Sequence, residues 1–260
     1  MARLCPLFSG SSGNSYYIGS KSAGVLVDAG RSAKQVDTML KACGIDPLAI
    51  QAVLLTHEHS DHVSAVRVFA KKYSLPVIAS AGTLNAMSTA FEQLHTAVME
   101  QDLQVADMTI RFFPTSHDCA EPIGFRIRTA DDRVVVVSTD LGYVSQEVEA
   151  NLLGADFAVI ESNHDEEMLR TGGYPYYLKS RILSDHGHLS NRVCSGMLPK
   201  LAQSGTTRFL LAHLSRDNNS PSVARQASLQ ALVEAGMTEN QDFTLSVASP
   251  ENFNREVFIF

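Results

Sequence analysis

The chain has 260 residues, of which 45% are hydrophobic and 19% charged, with 16 Gly and 9 Pro. This mixture is that of a globular protein and excludes a disordered, collagenous or coiled-coil chain. Twenty-one basic against 28 acidic side chains leave a net charge of −7, which argues against a surface that binds polyanions everywhere.

The apolar run near the start is interrupted by Pro6 and ends at Phe8, too short for a secretory core. No window approaches the roughly 18 consecutive apolar residues of a membrane span. Cys5, Cys43, Cys119 and Cys194 show no Cys-x-x-Cys spacing. Reduced thiols in a cytoplasmic protein are the expectation, not a disulfide framework.

In chain order, a Gly/Ser loop at 9–15 separates two β-like runs, and its backbone N–H groups suit either a plain turn or an anion nest. Apolar runs at 25–28, 52–55, 76–79, 134–137, 158–160 and 209–211 read as strands buried on both faces. Runs 109–113 and 123–127 read as an antiparallel pair. Helical patterns occupy 32–42, 62–73, 144–152, 190–203 and 221–235, with Pro221 suited to a first helical turn. No linker divides the chain. The expectation is one α/β domain over residues 1–260, with two mixed β-sheets sandwiched between helices in a four-layer αββα arrangement. A weak internal symmetry recurs: one strand in each half runs into an Asp (Asp28, Asp140) and another into a His (His57, His213). Strand carboxyl ends are where α/β proteins carry their ligands.

The strongest motif is Thr56-His57-Glu58-His59-Ser60-Asp61-His62. It follows an apolar strand and precedes a helical pattern. In extended backbone His57 and His59 point to one side and reach one ion, while Asp61 and His62 on the turn reach a second. Imidazole with carboxylate suits zinc, iron or manganese better than magnesium or calcium.

On these residues the sequence resembles the metallo-β-lactamase fold superfamily. The resemblance extends to Pro114-Thr-Ser-His117, Ser138-Thr-Asp140 and Leu210-Leu-Ala-His213. It implies two divalent ions, Zn²⁺ or Mn²⁺: one held by His57, His59 and His117, the other by Asp61, His62 and His213, with Asp140 shared. Further segments narrow the likeness: the loop Ser9–Ser15 with Ser12 and Asn14, the run Glu161-Ser-Asn163-His164-Asp, the run Asp185-His-Gly-His188-Leu-Ser190-Asn191, and Asp217-Asn-Asn-Ser-Pro221. Together these resemble the WalJ/YycJ group of bacterial metallo-hydrolases, which is assigned 5′-to-3′ exodeoxyribonuclease activity. The resemblance implies Asp61 and His188 as catalytic residues, with Ser12, Asn14, Asn163, His164, Ser190 and Asn191 contacting a nucleic-acid substrate, DNA favoured over RNA. Residues 189–191, Leu-Ser-Asn, depart from the element of tRNA 3′-processing endonucleases, and no inserted basic arm is present. An RNA-processing nuclease of that type and a thioester hydrolase of the glyoxalase II type are the alternatives.

Charge patterning bears on the substrate. Between Met168 and Arg216 seven basic residues face one acid, Asp185, so the segment is +6 within a chain of −7. Tyr174, Tyr176 and Tyr177 lie in it. A basic, aromatic segment is what a groove tracking a phosphate backbone needs. A solvated helix face with tyrosines closing the core explains it equally. His95 and His186 read as surface or local hydrogen-bonding residues.

Overall fold

The computed structural model describes residues 1–260. The first sheet has seven strands in the order β14-β1-β2-β3-β4-β5-β6. They are β1 (Arg3–Phe8), β2 (Ser15–Gly19), β3 (Gly24–Val27), β4 (Ile50–Leu54), β5 (Val77–Ala79), β6 (Thr96–Val98) and β14 (Phe258–Ile259). Pairing is parallel from β3 to β6 and antiparallel from β3 back to β14. The second sheet also has seven strands, ordered β13-β12-β11-β10-β9-β8-β7. They are β7 (Leu103–Val105), β8 (Met108–Pro114), β9 (Ile123–Arg128), β10 (Val134–Ser138), β11 (Phe157–Glu161), β12 (Arg208–Ala212) and β13 (Thr244–Val247). Here β10 to β13 are parallel and β7–β8 antiparallel. Both sheets are therefore mixed, as expected.

The chain forms two compact units interleaved in sequence: residues 1–112, 119–133 and 249–260 make the first, and 113–118 with 134–248 the second. Each has its own apolar core. In the first, Leu7, Leu26, Val53 and Val77 pack with Val36, Leu40 and Phe69 from helices. In the second, Val136, Ala158, Ile160 and Leu211 pack with Leu198, Leu201 and Leu232. The central strands β3, β10 and β11 are buried at every position, which is why they read as unbroken Val/Leu/Ile runs.

The helix expected at 62–73 is two helices, Ser60–Val63 and Val66–Tyr73. The break has a local cause. Ala29 N donates to His62 O at 2.7 Å and Ala65 N to Ala29 O at 2.8 Å, so the turn after β3 takes hydrogen bonds that a continuous helix would keep. The other four helices form within two residues of expectation, as Ala33–Ala42, Gln146–Leu152, Asn191–Gln203 and Pro221–Glu234. Ser32 and Gln35 close a capping box on the first of these. Pro221 sits in the first turn of the last.

Gly30 fixes how closely the turn after β3 approaches the His-rich loop. A Cβ built there would lie 1.5 Å from Asp61 O and 2.6 Å from Asn14 N. Gly30 N donates to Asn14 O at 2.9 Å, and Asn14 N to Asp61 O at 2.8 Å. Gly30→Ala must therefore push the Asp61 backbone away. The expected loss of stability, read by urea unfolding, is at least ~1–3 kcal/mol, the usual range for overpacking, with Asp61 displaced.

Candidate metal centre

In the first unit, β3 and β4 run parallel and end side by side, so Asp28 meets the His-rich loop. Asp28 is wholly buried. Its Oδ1 accepts from Thr56 N at 2.9 Å, and its Oδ2 from Thr56 Oγ1 and His62 Nδ1, both at 2.8 Å. Thr56 has spent its hydroxyl hydrogen on Asp28, so at 3.0 Å its Oγ1 accepts from His57 Nδ1. Both imidazoles are thereby fixed with Nε2 as the remaining basic nitrogen. The His57 ring lies 4.6 Å from that of His59 and 4.0 Å from that of His62. Asp61 Oδ2 is 3.6 Å from His62 Nε2. Glu58 points away, as alternation along extended backbone requires, and accepts from Ala120 N at 2.7 Å.

The loop Ser9–Ser15 also reaches this group. Asn14, wholly buried, places Nδ2 3.0 Å from His62 Nε2 and 3.4 Å from Asp61 Oδ2, while its Oδ1 accepts from Gly10 N. Ser12 Oγ instead accepts from Arg31 Nη2 at 3.0 Å. Asn14 thus stands against ligand-competent atoms, and Ser12 on the outer side of the loop.

In the second unit, β10, β11 and β12 end at Asp140, Glu161 and His213. Glu161 is wholly buried. Its Oε1 accepts from His188 Nδ1 and His213 Nδ1, both at 2.8 Å, and its Oε2 from Leu141 N and Leu189 N at 3.0 and 3.1 Å. Burial alone would raise its pKa, but the His188 charge and the two imidazole bonds hold it at about 2. His213 shows the reciprocal effect. Burial opposes its charged form, but Asp140 at 3.0 Å and Glu161 outweigh burial and push the imidazole up to about 10. Two buried carboxylates draw positive charge to this spot, and a proton or a divalent cation supplies it. Ligand atoms of Asp140, Glu161, His188 and His213 lie within 4.8 Å of one another. His117, almost fully buried, donates Nδ1–H to Gly187 O at 3.0 Å, and burial lowers its pKa, favouring neutral imidazole.

The residues fit resident divalent metal. In four of the five proposed histidine ligands (His57, His62, His117 and His213), Nδ1 is engaged by a hydroxyl, carboxylate or carbonyl. This is the support by which proteins orient a metal-binding imidazole and present Nε2. Asp28, Asp140 and His213 also share a left-handed backbone, with φ of 58°, 56° and 54°. Non-Gly residues adopt it at a cost of about 1 kcal/mol or more, and such strain gathers at functional sites.

Sequence reasoning placed Asp28 at a strand end and Glu161 in a motif but gave neither of them a role at the site. The signal was a single acid closing a buried apolar strand, as in Val25-Leu-Val-Asp28 and Ala158-Val-Ile-Glu161. Three of the residues expected at the substrate, Asn163, Ser190 and Asn191, have side chains engaged within the protein, whereas the buried ring nitrogens of His164 meet no hydrogen-bond partner. Asn163 Nδ2 donates to His213 O at 2.8 Å. Asn191 and Asn219 exchange a reciprocal pair of amide bonds at 2.9 Å, and Ser162 Oγ donates to Asn191 Oδ1 at 2.7 Å. Ser190 caps the helix Asn191–Gln203 through Val193 N and donates to Glu166 Oε1 at 3.0 Å. His164 is 1% exposed, and burial pulls its pKa down to about 4.

The +6 segment is also quieter in space than in sequence. Glu166 pairs with Arg170 and Arg192, Glu149 with Lys200, and Asp118 with Arg181. Those three acids lie outside the segment and bring +6 to +3. Tyr174 donates to Asp217 Oδ2 at 2.7 Å, whereas Tyr176 and Tyr177 are exposed. His186 engages Ser116 Oγ at 3.2 Å, and His95 is a surface residue.

The family model described as "Beta-lactamase superfamily domain" matches residues 24–214. Exodeoxyribonuclease YycJ of Bacillus anthracis is 38% identical over 250 residues, 94% of each chain. Exodeoxyribonuclease WalJ of Streptococcus pneumoniae serotype 2, strain D39, is 37% identical over 252 residues, covering 94% of this chain and 93% of that protein. This chain belongs to the β-lactamase superfamily and, within it, to the YycJ/WalJ family. The family membership makes it a metal-dependent hydrolase by fold and donor set. The fold recurs in the solved metallo-β-lactamase fold protein YhfI of Bacillus subtilis, with a TM-score of 0.73 at 17% identity over the whole of both chains. No helix of this YycJ/WalJ family member is long and apolar enough to cross a membrane.

Proposed function

We propose that the protein is a 5′-to-3′ exodeoxyribonuclease of the cytoplasm, hydrolysing phosphodiester bonds with two divalent ions, Zn²⁺ or Mn²⁺. The observation that carries the hydrolytic chemistry is the set of imidazoles anchored through Nδ1, an arrangement that presents Nε2 as the ligand atom. The likeness to exodeoxyribonucleases YycJ and WalJ over 94% of the chain supports the substrate.

His57, His59, Asp61, His62, His117, Asp140 and His213 are the proposed ligands. The ions, when bound, supply a water acidic enough to attack at neutral pH and positive charge against the phosphoryl oxygens. Asp61, partly exposed in the first turn of its helix, accepts the proton of the attacking water. His188 is the proton donor. Glu161 holds its Nδ1, and its side chain is 15% exposed, so Nε2 is available to protonate the departing alkoxide or to bind a phosphoryl oxygen. Asn14 serves as a polar contact beside Asp61 and His62. Tyr176 and Tyr177 would stack on bases of the strand, Ser12, Asn163, Ser190 and Asn191 would act through the loops they hold, and His164 is a substrate contact in this reading.

His188→Ala tests the assignment. Activity on DNA is expected to fall ~10²–10⁴-fold, the usual contribution of a general acid, with metal content unchanged. Hydrolysis of bis-p-nitrophenyl phosphate should fall far less, since p-nitrophenolate leaves without a proton. Equal losses on both substrates would remove His188 from that role, and lost metal would make it a ligand. A thioester assayed alongside separates the glyoxalase II-type reading, and labelled RNA separates the RNA-processing one.

A further inference from the structure

Near its end the chain displays an aromatic ring that the core does not use. Phe253 is 76% exposed and lines two hollows of the first unit. One, of about 470 Å³, is bounded by Phe8, Lys34, Thr38, Met39 and Arg255; the other, of about 350 Å³, by Ser249, Pro250 and Asn254. Both volumes fall within the range of about 300–1,000 Å³ typical of small-molecule sites.

The loop that carries the ring is tightly built. Asn252, 4% exposed, donates Nδ2–H to Glu256 O at 2.8 Å, accepts from Glu256 N at 2.8 Å, and has both Cys5 Sγ and Cys43 Sγ at 3.6 Å. Its carbonyl accepts from Arg255 N at 3.0 Å, and its own N–H donates to Leu7 O at 3.2 Å. Phe253 is thus presented to solvent by an ordered turn whose polar atoms are spent on one another.

Charge decides the kind of occupant. The acid on the rim, Glu251, is paired with Arg31 at 3.0 Å. Lys34 and Arg255 are exposed and carry no ion pair. An apolar, aromatic-lined hollow with two uncommitted cations on its rim complements a nucleobase with a phosphate on either side. The hollow also connects to the metal-side loop, because Arg31 bonds both Glu251 and Ser12, and Asn14 of the same loop faces His62.

We propose that Phe253 is a base-stacking platform for a single-stranded nucleic acid, with Lys34 and Arg255 contacting the flanking phosphates. The choice of nucleic acid as ligand rests on the proposed nuclease function. The protein contains no Trp, so Phe253→Trp installs a single reporter in the metal-loaded enzyme. Titration with a cleavage-resistant phosphorothioate oligothymidylate is expected to quench its fluorescence saturably. The midpoint should rise steeply with salt and rise further when Lys34→Glu and Arg255→Glu are added. Phe253→Ala should raise KM for single-stranded DNA roughly tenfold, in keeping with the alanine cost of losing one stacked base, with kcat little changed and Phe253→Tyr restoring it. No quench in an enzyme that degrades DNA, or wild-type KM in Phe253→Ala, would overturn the proposal and leave the nuclease reading standing. A salt-sensitive quench in a protein that cleaves no DNA would support the platform and defeat the nuclease reading. A dimer that Phe253→Ala dissociates in sedimentation equilibrium would assign the ring to self-association and overturn the proposal.

Discussion

Glu161→Ala is expected to lower kcat/KM on DNA by ~10²-fold or more, the upper part of the range for residues that orient metal ligands. One carboxylate holds two imidazoles, His188 and His213, so its loss disorients a proposed acid and a proposed ligand together. Bound metal should fall in the same variant, because His213 loses the bond that presents its Nε2. Stability should drop as well, by ~3–5 kcal/mol as for breaking a buried charge pair. The groups stranded are the two imidazoles and the N–H groups of Leu141 and Leu189. Glu161→Gln separates shape from charge. The amide fills the volume, but one half of it must present a donor to donors, either to the two imidazoles or to the two backbone N–H groups. Its stability should therefore lie between those of the wild type and Glu161→Ala, while its activity stays low. Full activity with full metal content in Glu161→Gln would show that the carboxylate's charge is dispensable.

Asp61→Asn is expected to remove ~10²–10⁴ in kcat, the contribution of a proton-accepting group, and to weaken one of the two ions. The reason it should leave the fold intact is local. Asp61 holds its surroundings through its carbonyl, which accepts from Asn14 N at 2.8 Å, and asparagine keeps that carbonyl. Its side chain is partly exposed and reaches Asn14 Nδ2 at 3.4 Å. The unfolding midpoint should then stay close to wild type while kcat and metal stoichiometry drop. Near-normal turnover would contradict the role given to Asp61, and a large loss of stability would make the residue structural.

Much of this was readable in the sequence for one physical reason. The central strands are buried on both faces, so their apolar runs stand out, and the chemistry sits where each run stops. His57, Asp140 and His213 follow such runs within three residues, and six strands were placed by the same signal. The edges were less legible. Strands β6, β7, β13 and β14 are two to four residues long, too short for a period to show. The break between Val63 and Val66 depends on Ala29, more than thirty residues earlier.

Within the site, the limit lay in roles rather than positions. Asp28 and Glu161 look in sequence like any acid ending a strand, and their function exists only through the imidazoles that fold against them. The hydrogen bonds of Asn163 and Asn191 were not legible either, because buried amides and substrate-facing amides have the same composition. Their partners, His213 O and Asn219, are 50 and 28 residues away. Charge misled similarly. Acids that neutralise Arg181, Arg192 and Lys200 come from outside the segment, so a local sum overstated the basic surface. Lys34 and Arg255, far apart in sequence and in no charged run, line the same hollow as Phe253.

The most direct measurement is the time course of label release from single-stranded DNA carrying a 5′ label, with Mn²⁺ or Zn²⁺ present and with a chelator as control. The account predicts that label appears as mononucleotide from the earliest times, before the remaining strand shortens appreciably, and that the chelator abolishes release. Release unaffected by chelation, or intact DNA in the presence of either ion, would contradict it.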